Sequence, residues 1–199
     1  MSAENLLFQI IVYLCWGLFC LAWVVGALYN LRNAPDAERG RDRYTPWVVG
    51  VVLIAVGEYL VPAQAWQPLT VYSLPLRILG AGLLLIATAF ILWARAILGT
   101  MWTSSPIVKR NHQLRTTGPY AVTRHPIYTG LLGMLIGTAL INGLGVWLWY
   151  LLVGVVILKV KATSEERLLE EAFGPTYHDY RRRVSQLVPG AKRVAHIRL

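Results

Sequence analysis

Gly118-Pro119-Tyr120-Ala121-Val122-Thr123-Arg124-His125-Pro126-Ile127-Tyr128-Thr129-Gly130 carries a string of polar and ring-bearing side chains straight into the apolar stretch from Ile127 to Ile141. Lipid offers such residues no solvation, so a polar cluster at the mouth of a membrane helix is a functional-site hypothesis by default. It is answered further along by Glu165-Glu166 and by Phe173-Gly174-Pro175-Thr176-Tyr177.

The rest of the chain gives that stretch its setting. Hydrophobic residues make up 56% of the 199, charged residues only 15%, and there are eight Trp; the mean hydropathy is +0.49. This is the composition of a chain solvated by lipid. A hydrocarbon core about 30 Å thick needs roughly 20 apolar residues, which predicts an all-α polytopic membrane protein with about five spans. They run from about Leu6 to Leu31, Pro46 to about Ala65, about Leu74 to Leu98, Ile127 to Ile141, and Val146 to about Val160. Only Asn142-Gly143-Leu144-Gly145 separates the last two, which predicts a tight, slightly short helical hairpin. No repeat or low-complexity tract interrupts the chain, so residues 1–199 are expected to form one membrane domain. Residues 1–98 supply three helices; residues 99–199 supply a connecting loop, the hairpin and an amphipathic tail that build the site.

Basic residues cluster after the first span (Arg32, Arg39, Arg41, Arg43), after the third (Lys109, Arg110, Arg115, Arg124) and in the tail, and are missing from Trp66–Ser73 and Asn142–Gly145. The positive-inside rule then puts the N-terminus outside and the motif and C-terminus in the cytoplasm. The net charge of +9 is accounted for by topology and by anionic headgroups, worth about 1 kcal/mol per Lys or Arg, rather than by nucleic acid. The first span is too long, and lacks the basic leader, for a cleaved signal peptide, so it is read as a retained helix. Cys15 and Cys20 lie on that helix as packing residues, with no partners for a disulfide or a metal site.

His112-Gln113-Leu114, Thr117-Gly118-Pro119-Tyr120, Arg124-His125-Pro126-Ile127-Tyr128-Thr129-Gly130, Glu165-Glu166, Phe173-Gly174-Pro175-Thr176-Tyr177 and Tyr180-Arg181-Arg182-Arg183-Val184 resemble the isoprenylcysteine carboxyl methyltransferases and their prokaryotic relatives, themselves similar to phospholipid N-methyltransferases. The resemblance covers roughly the C-terminal half. It implies an S-adenosylmethionine site, leaving S-adenosylhomocysteine, at the cytoplasmic surface of a membrane that in a compact member of this kind would be a prokaryotic inner membrane. A lateral opening would admit a lipophilic acceptor from the bilayer.

Carried over by position, His112, Gln113, Leu114, Arg115, Tyr120, His125, Pro126, Ile127, Tyr128 and Glu165 fall where the family contacts the cofactor. Lys161 falls at a substrate-contacting arginine of the eukaryotic members. Lysine keeps the cation but loses the bidentate carboxylate fork. The chemistry implied is in-line displacement at a methyl carbon, with no catalytic residue fixed. A carboxylate acceptor needs no base, only alignment at about 3 Å with water excluded, and Lys161 or Arg95 would orient it. An amine acceptor, as in phospholipid methylation, would need a base such as His125, Glu165 or Glu166. Related membrane folds also include NADPH-dependent reductases, and a non-catalytic membrane protein is a further alternative; no Gly-rich dinucleotide fingerprint supports reduction.

Each residue has a plainer reading beside this one. His125 before Pro126 would merely start a helix. Glu165 and Glu166 would form a solvated face, with Lys161 and Glu165 as an ordinary i,i+4 pair, and this fits Glu166 better than Glu165. Arg95 would snorkel to the headgroups. Glu58 would pair with Arg77 between the second and third spans. Tyr177, Tyr180 and Arg181 to Arg183 would anchor the tail at the headgroups, and Trp102 would mark the interface. Gly133 and Gly137 would pack on a neighbouring span of the same chain rather than form a dimer.

Overall fold

The structure, a computed structural model, describes residues 3–33, 45–99 and 114–190. The helices are α1 (Ala3–Asn33), α2 (Thr45–Leu60), α3 (Leu74–Leu98), the single turn α4 (Pro119–Val122), α5 (Pro126–Ile141), α6 (Trp147–Phe173) and α7 (Pro175–Arg183), with a 3-10 segment at Ala63–Leu69. Among the described residues the only β pairing is two isolated bridges, Thr70 with Leu144 and Thr123 with Ser185.

Ala3–Asn30, Leu74–Leu98 and Trp147–Phe173 are each long and apolar enough to cross a membrane, and α2 joins them if it is taken together with the 3-10 segment across a 95° bend. The chain is a multi-pass integral membrane protein. Two expected boundaries move. The second span stops at Leu60 rather than near Ala65, because Pro62 sits in an extended conformation and disfavours helix in the residue before it. The last span runs without a break past Val160 to Phe173, so the charged segment bearing Lys161, Glu165 and Glu166 is a rigid continuation of a membrane helix. α5, with 16 residues, is about 24 Å long at 1.5 Å per residue, short of the hydrocarbon thickness.

α3 and α5 form the central pair. A Cβ on Gly80 would lie 2.7 Å from the Gly137 carbonyl oxygen, and one on Gly133 would lie 2.8 Å from the Ala87 Cβ. Small residues thus let the two backbones touch, and both glycines of the α5 pair face α3. α1 lays Phe8, Val12 and Cys15 over this seam, completing a core with Leu84, Ile91 and Met134. Cys20 is exposed and does not pack as expected: five residues on, it has rotated about 140° away from Cys15. α2 leans on α6, with Gly57 beneath the Trp149 indole and Gly50 beneath Ile157.

That arrangement undoes the expected pairing of Glu58 with Arg77. Glu58, carried against α6, accepts a hydrogen bond from the Tyr150 hydroxyl. Arg77 turns to α1, where it donates to Asn5 at 2.7 Å and lies 3.4 Å from Glu4.

Candidate active site

Three segments converge at the far end of α6. The first is the motif. Gly118, at φ +61°, turns the chain into α4, and a Cβ there would lie 3.4 Å from Trp93 of α3. Thr123 is extended, and Pro126 opens α5 at a position where its missing N–H costs nothing. The second is the extension of α6, which presents Lys161, Glu165 and Glu166. The third is α7 with the strap after it. Arg124 N–H donates to the Ser185 carbonyl at 2.8 Å and His125 N–H to that of Gln186 at 3.2 Å, while the Thr129 hydroxyl donates to Leu187 at 2.7 Å. The strap therefore satisfies backbone donors that the loop before α5 would otherwise bury unpaired.

At the junction lies a compact charge cluster. Arg124 meets Glu166 Oε1 through Nη2 at 2.6 Å and Nε at 2.8 Å, and its Nη1 also donates to the Arg181 carbonyl at 3.2 Å and to that of Val184. His125 sits between two carboxylates, with Nε2 3.3 Å from Glu166 and Nδ1 3.5 Å from Glu165. The Tyr128 hydroxyl donates to Glu165, and its ring lies parallel to the imidazole with centroids 5.6 Å apart. Burial by itself lowers the pKa of His125, but the hydrogen bonds and charges of Glu165 and then Glu166 outweigh it and raise the pKa above the ordinary histidine value. The two carboxylates thus favour the protonated ring. Tyr120 is buried, and its carbonyl accepts from the Tyr180 hydroxyl at 2.6 Å. Burial first, then Tyr180 and Glu165, push the Tyr120 phenol well above its usual range, so it stays neutral.

Of the residues picked out by sequence, Tyr120, His125, Tyr128 and Glu165 come together here, whereas Pro126 opens α5 and Ile127 packs against the helical core. His112, Gln113 and Trp102 lie outside the described residues; Leu114 is half-buried and Arg115 exposed. Lys161 is buried one turn of α6 before Glu165, yet it does not pair with it. Its ammonium lies 5.6 Å from the Trp47 ring centroid on α2, so the surface ion pair is replaced by a cation–π contact. Arg95 does not snorkel. It is buried, donates to the Gly99 carbonyl at 3.0 Å, and fits its guanidinium against Gly26 of α1.

Glu166 is not a solvated face residue. It is 5% exposed and is the shared anchor of Arg124 and His125. Tyr177 and Tyr180 are likewise buried rather than placed at the headgroups, with 0% and 4% exposure. The sequence gives Arg124 and Thr129 no separate role, although Arg124 directly beside His125, opposite two adjacent glutamates, is a usable signal.

Residues 76–176, from α3 through the start of α7, match the family model of phospholipid methyltransferases. The protein-S-isoprenylcysteine O-methyltransferase of Schizosaccharomyces pombe is 38% identical over 86 residues, 41% of this chain and 36% of that enzyme. The cobalt-zinc-cadmium resistance protein CzcN of Cupriavidus metallidurans is 30% identical over 162 residues, 80% of this chain and 69% of that protein. Among solved structures, the eukaryotic intramembrane Ras methyltransferase, an isoprenylcysteine carboxyl methyltransferase, superposes with a TM-score of 0.53 and 26% identity, covering 74% of this chain and 52% of that one. The chain thus spans about a third to a half of the two isoprenylcysteine methyltransferases it matches. It belongs to the phospholipid methyltransferase family.

Proposed function

We propose that this protein is an S-adenosylmethionine-dependent methyltransferase that esterifies the carboxylate of a lipophilic, isoprenylcysteine-like acceptor at the membrane surface. The observation that carries the choice of acceptor is His125. Both ring nitrogens face carboxylates, so neither is turned to an incoming amine; Glu166 Oε1 already meets Arg124 and His125, and Glu165 meets Tyr128 and His125. An amine acceptor must lose a proton before it attacks, whereas a carboxylate attacks as it is.

The side chains fit the methyl donor. Glu165 is the carboxylate of the cluster with an exposed edge, 26% of its side chain, suited to accept from an ammonium or hydroxyl group. Tyr120 and Tyr128 offer ring faces to a sulfonium or an adenine. When bound, S-adenosylmethionine supplies a methyl group activated by its sulfonium. The role of the chain is to hold the acceptor in line and dry, with Lys161 and Arg95 as cations that orient a carboxylate without quenching it. The resistance-protein relative is named for metals, but among the described residues no three His, Cys, Asp or Glu side chains converge for one. We place the site on the cytoplasmic face, with Arg182 and Arg183 toward anionic headgroups.

The test is calorimetry on detergent-solubilised protein with S-adenosylmethionine and with NADPH, followed by incubation of farnesylcysteine and an amine lipid with methyl-labelled donor. Binding of S-adenosylmethionine alone, and label released from the farnesylcysteine product by mild base, is the expected result, since methyl esters hydrolyse and N-methyl groups do not. Base-stable label on the amine lipid would overturn the choice of acceptor. NADPH binding without S-adenosylmethionine binding would overturn the methyltransferase reading.

A further inference from the structure

At the other end of α6, roughly 22 Å from Glu165 by the rise per residue, the bundle holds a cavity of about 540 Å³ walled by Glu58, Trp66, Tyr72, Leu144, Trp147 and Tyr150, among others. We propose that this cavity is a second ligand site, distinct from the methyl-transfer site, that binds an alkylammonium cation. The charge is the first argument. In a chain of net charge +9, Glu58 is the only ionic residue, and no Lys, Arg or His is found, among the described residues that line this cavity. The Tyr150 hydroxyl donates to one Glu58 oxygen and fixes the carboxylate at the wall. Four aromatic residues, Trp66, Tyr72, Trp147 and Tyr150, line the same open pocket, with Trp147 and Tyr150 edge to face, centroids 5.4 Å apart. A carboxylate and electron-rich rings lining one pocket are the groups that recognise organic ammonium ions. A hard metal ion would need several oxygen ligands, and one carboxylate does not supply them.

The second argument is that the walls are built rather than merely adjacent. The 3-10 segment and the α5–α6 turn are stitched by backbone hydrogen bonds from Val71 N–H to Gly143 at 2.9 Å and from Gly145 N–H to Leu69 at 3.1 Å. The Tyr72 ring lies over Gly143, where a Cβ would stand 2.7 Å from it. Leu144, between these contacts, is the one non-glycine residue with positive φ among those described, at +61°. A strained leucine is kept only where its surroundings over-determine it, and such residues gather at ligand sites. Interfacial anchoring alone would give scattered rings pointing to the headgroups, not four lining one pocket with an acid in its wall. The volume lies within the range of about 300–1,000 Å³ typical of small-ligand sites.

The experiment is saturation-transfer NMR on the full chain in maltoside micelles, with choline as probe and its uncharged isostere 3,3-dimethylbutanol as control. Choline methyl protons are expected to saturate, tetramethylammonium to displace them, and Glu58→Gln to weaken binding by at least about fivefold, the scale of one lost charge contact. Glu58→Asp, which keeps the charge but draws it back, covers the case in which the amide variant does not fold. Repeating the measurement in nanodiscs separates the sources. Loss of the choline signal in phosphatidylcholine but not in phosphatidylglycerol identifies a lipid headgroup, and retention in both identifies a free solute. Equal binding of the uncharged isostere, or undiminished binding in either Glu58 variant, would overturn the proposal, as would no saturation at all.

Discussion

His125 Nε2 lies 3.3 Å from Glu166 Oε1, the same oxygen that receives the Arg124 guanidinium at 2.6 Å. One carboxylate oxygen thus joins the last loop residue before α5 to the extension of α6. Through Arg124 the same cluster reaches the carbonyls that end α7.

The two adjacent glutamates should therefore separate in their effects. Glu166→Gln leaves Arg124 buried without its anion and His125 with only Glu165, and breaking a buried pair from one side costs about 3–5 kcal/mol. The variant is expected to lower the melting midpoint in detergent steeply. Glu165→Gln, at a partly exposed position, should change stability by less than about 1 kcal/mol while weakening S-adenosylmethionine binding. Equal destabilisation by the two would contradict the division of roles.

His125 also gives stability a pH dependence of definite sign. Its folded pKa is raised, above the unfolded value of about 6.5, so the folded state binds its proton more tightly. That contribution is fully present below about pH 6.5 and is lost as pH rises through the folded pKa. Melting midpoints are expected to fall between mildly acidic and alkaline buffer. His125→Gln should flatten that slope, and an unchanged slope in the variant would locate the effect elsewhere.

Period and composition carry the spans well because lipid leaves few alternatives, and Pro126 marks the start of α5 unambiguously. What fails at this level is partner choice. Glu58 and Arg77 both lie near the same end of consecutive spans, yet α2 packs on α6 rather than α3, and no local pattern encodes that. Glu166 looks like a solvated neighbour of Glu165 because helical spacing does not say which flank the strap covers. Tyr177 and Tyr180 look like interfacial anchors for the same reason. The His125, Tyr128 and Glu165 constellation was legible because the motif carried the chemistry, whereas the Arg124 clamp rests on carbonyls that any sequence would supply.

The α3–α5 seam makes a graded test possible. A Cβ on Gly137 would stand 2.8 Å from the Gly80 carbonyl oxygen and 2.9 Å from the Leu84 backbone nitrogen, whereas one on Gly82 meets nothing within 4 Å. Backbone cannot swing aside, so Gly137→Ala is expected to cost about 1–3 kcal/mol by forcing the helices apart. Gly82→Ala should be neutral or stabilising by up to about 1 kcal/mol through helix propensity. Thermal unfolding of both variants, side by side, checks the close approach directly; similar midpoints would rule it out.

Gly26 offers the converse case, in which the obstructed group is flexible. A Cβ there would lie 2.2 Å from Arg95 Nη2 and 2.8 Å from its Cζ, so the guanidinium must leave its notch. The far end of an arginine moves cheaply, and Gly26→Ala should alter stability by less than about 1 kcal/mol while gaining some helix propensity. The displaced group, however, is the cation beside Tyr120 and the donor to Gly99. Affinity for S-adenosylmethionine or acceptor is therefore expected to fall severalfold, and Arg95→Lys should do the same by removing the planar fork. Because both changes act on one guanidinium, the double variant should lose little more than either single one. Calorimetric titration of the four proteins decides it: additive losses would mean that Gly26 does not set the position of Arg95.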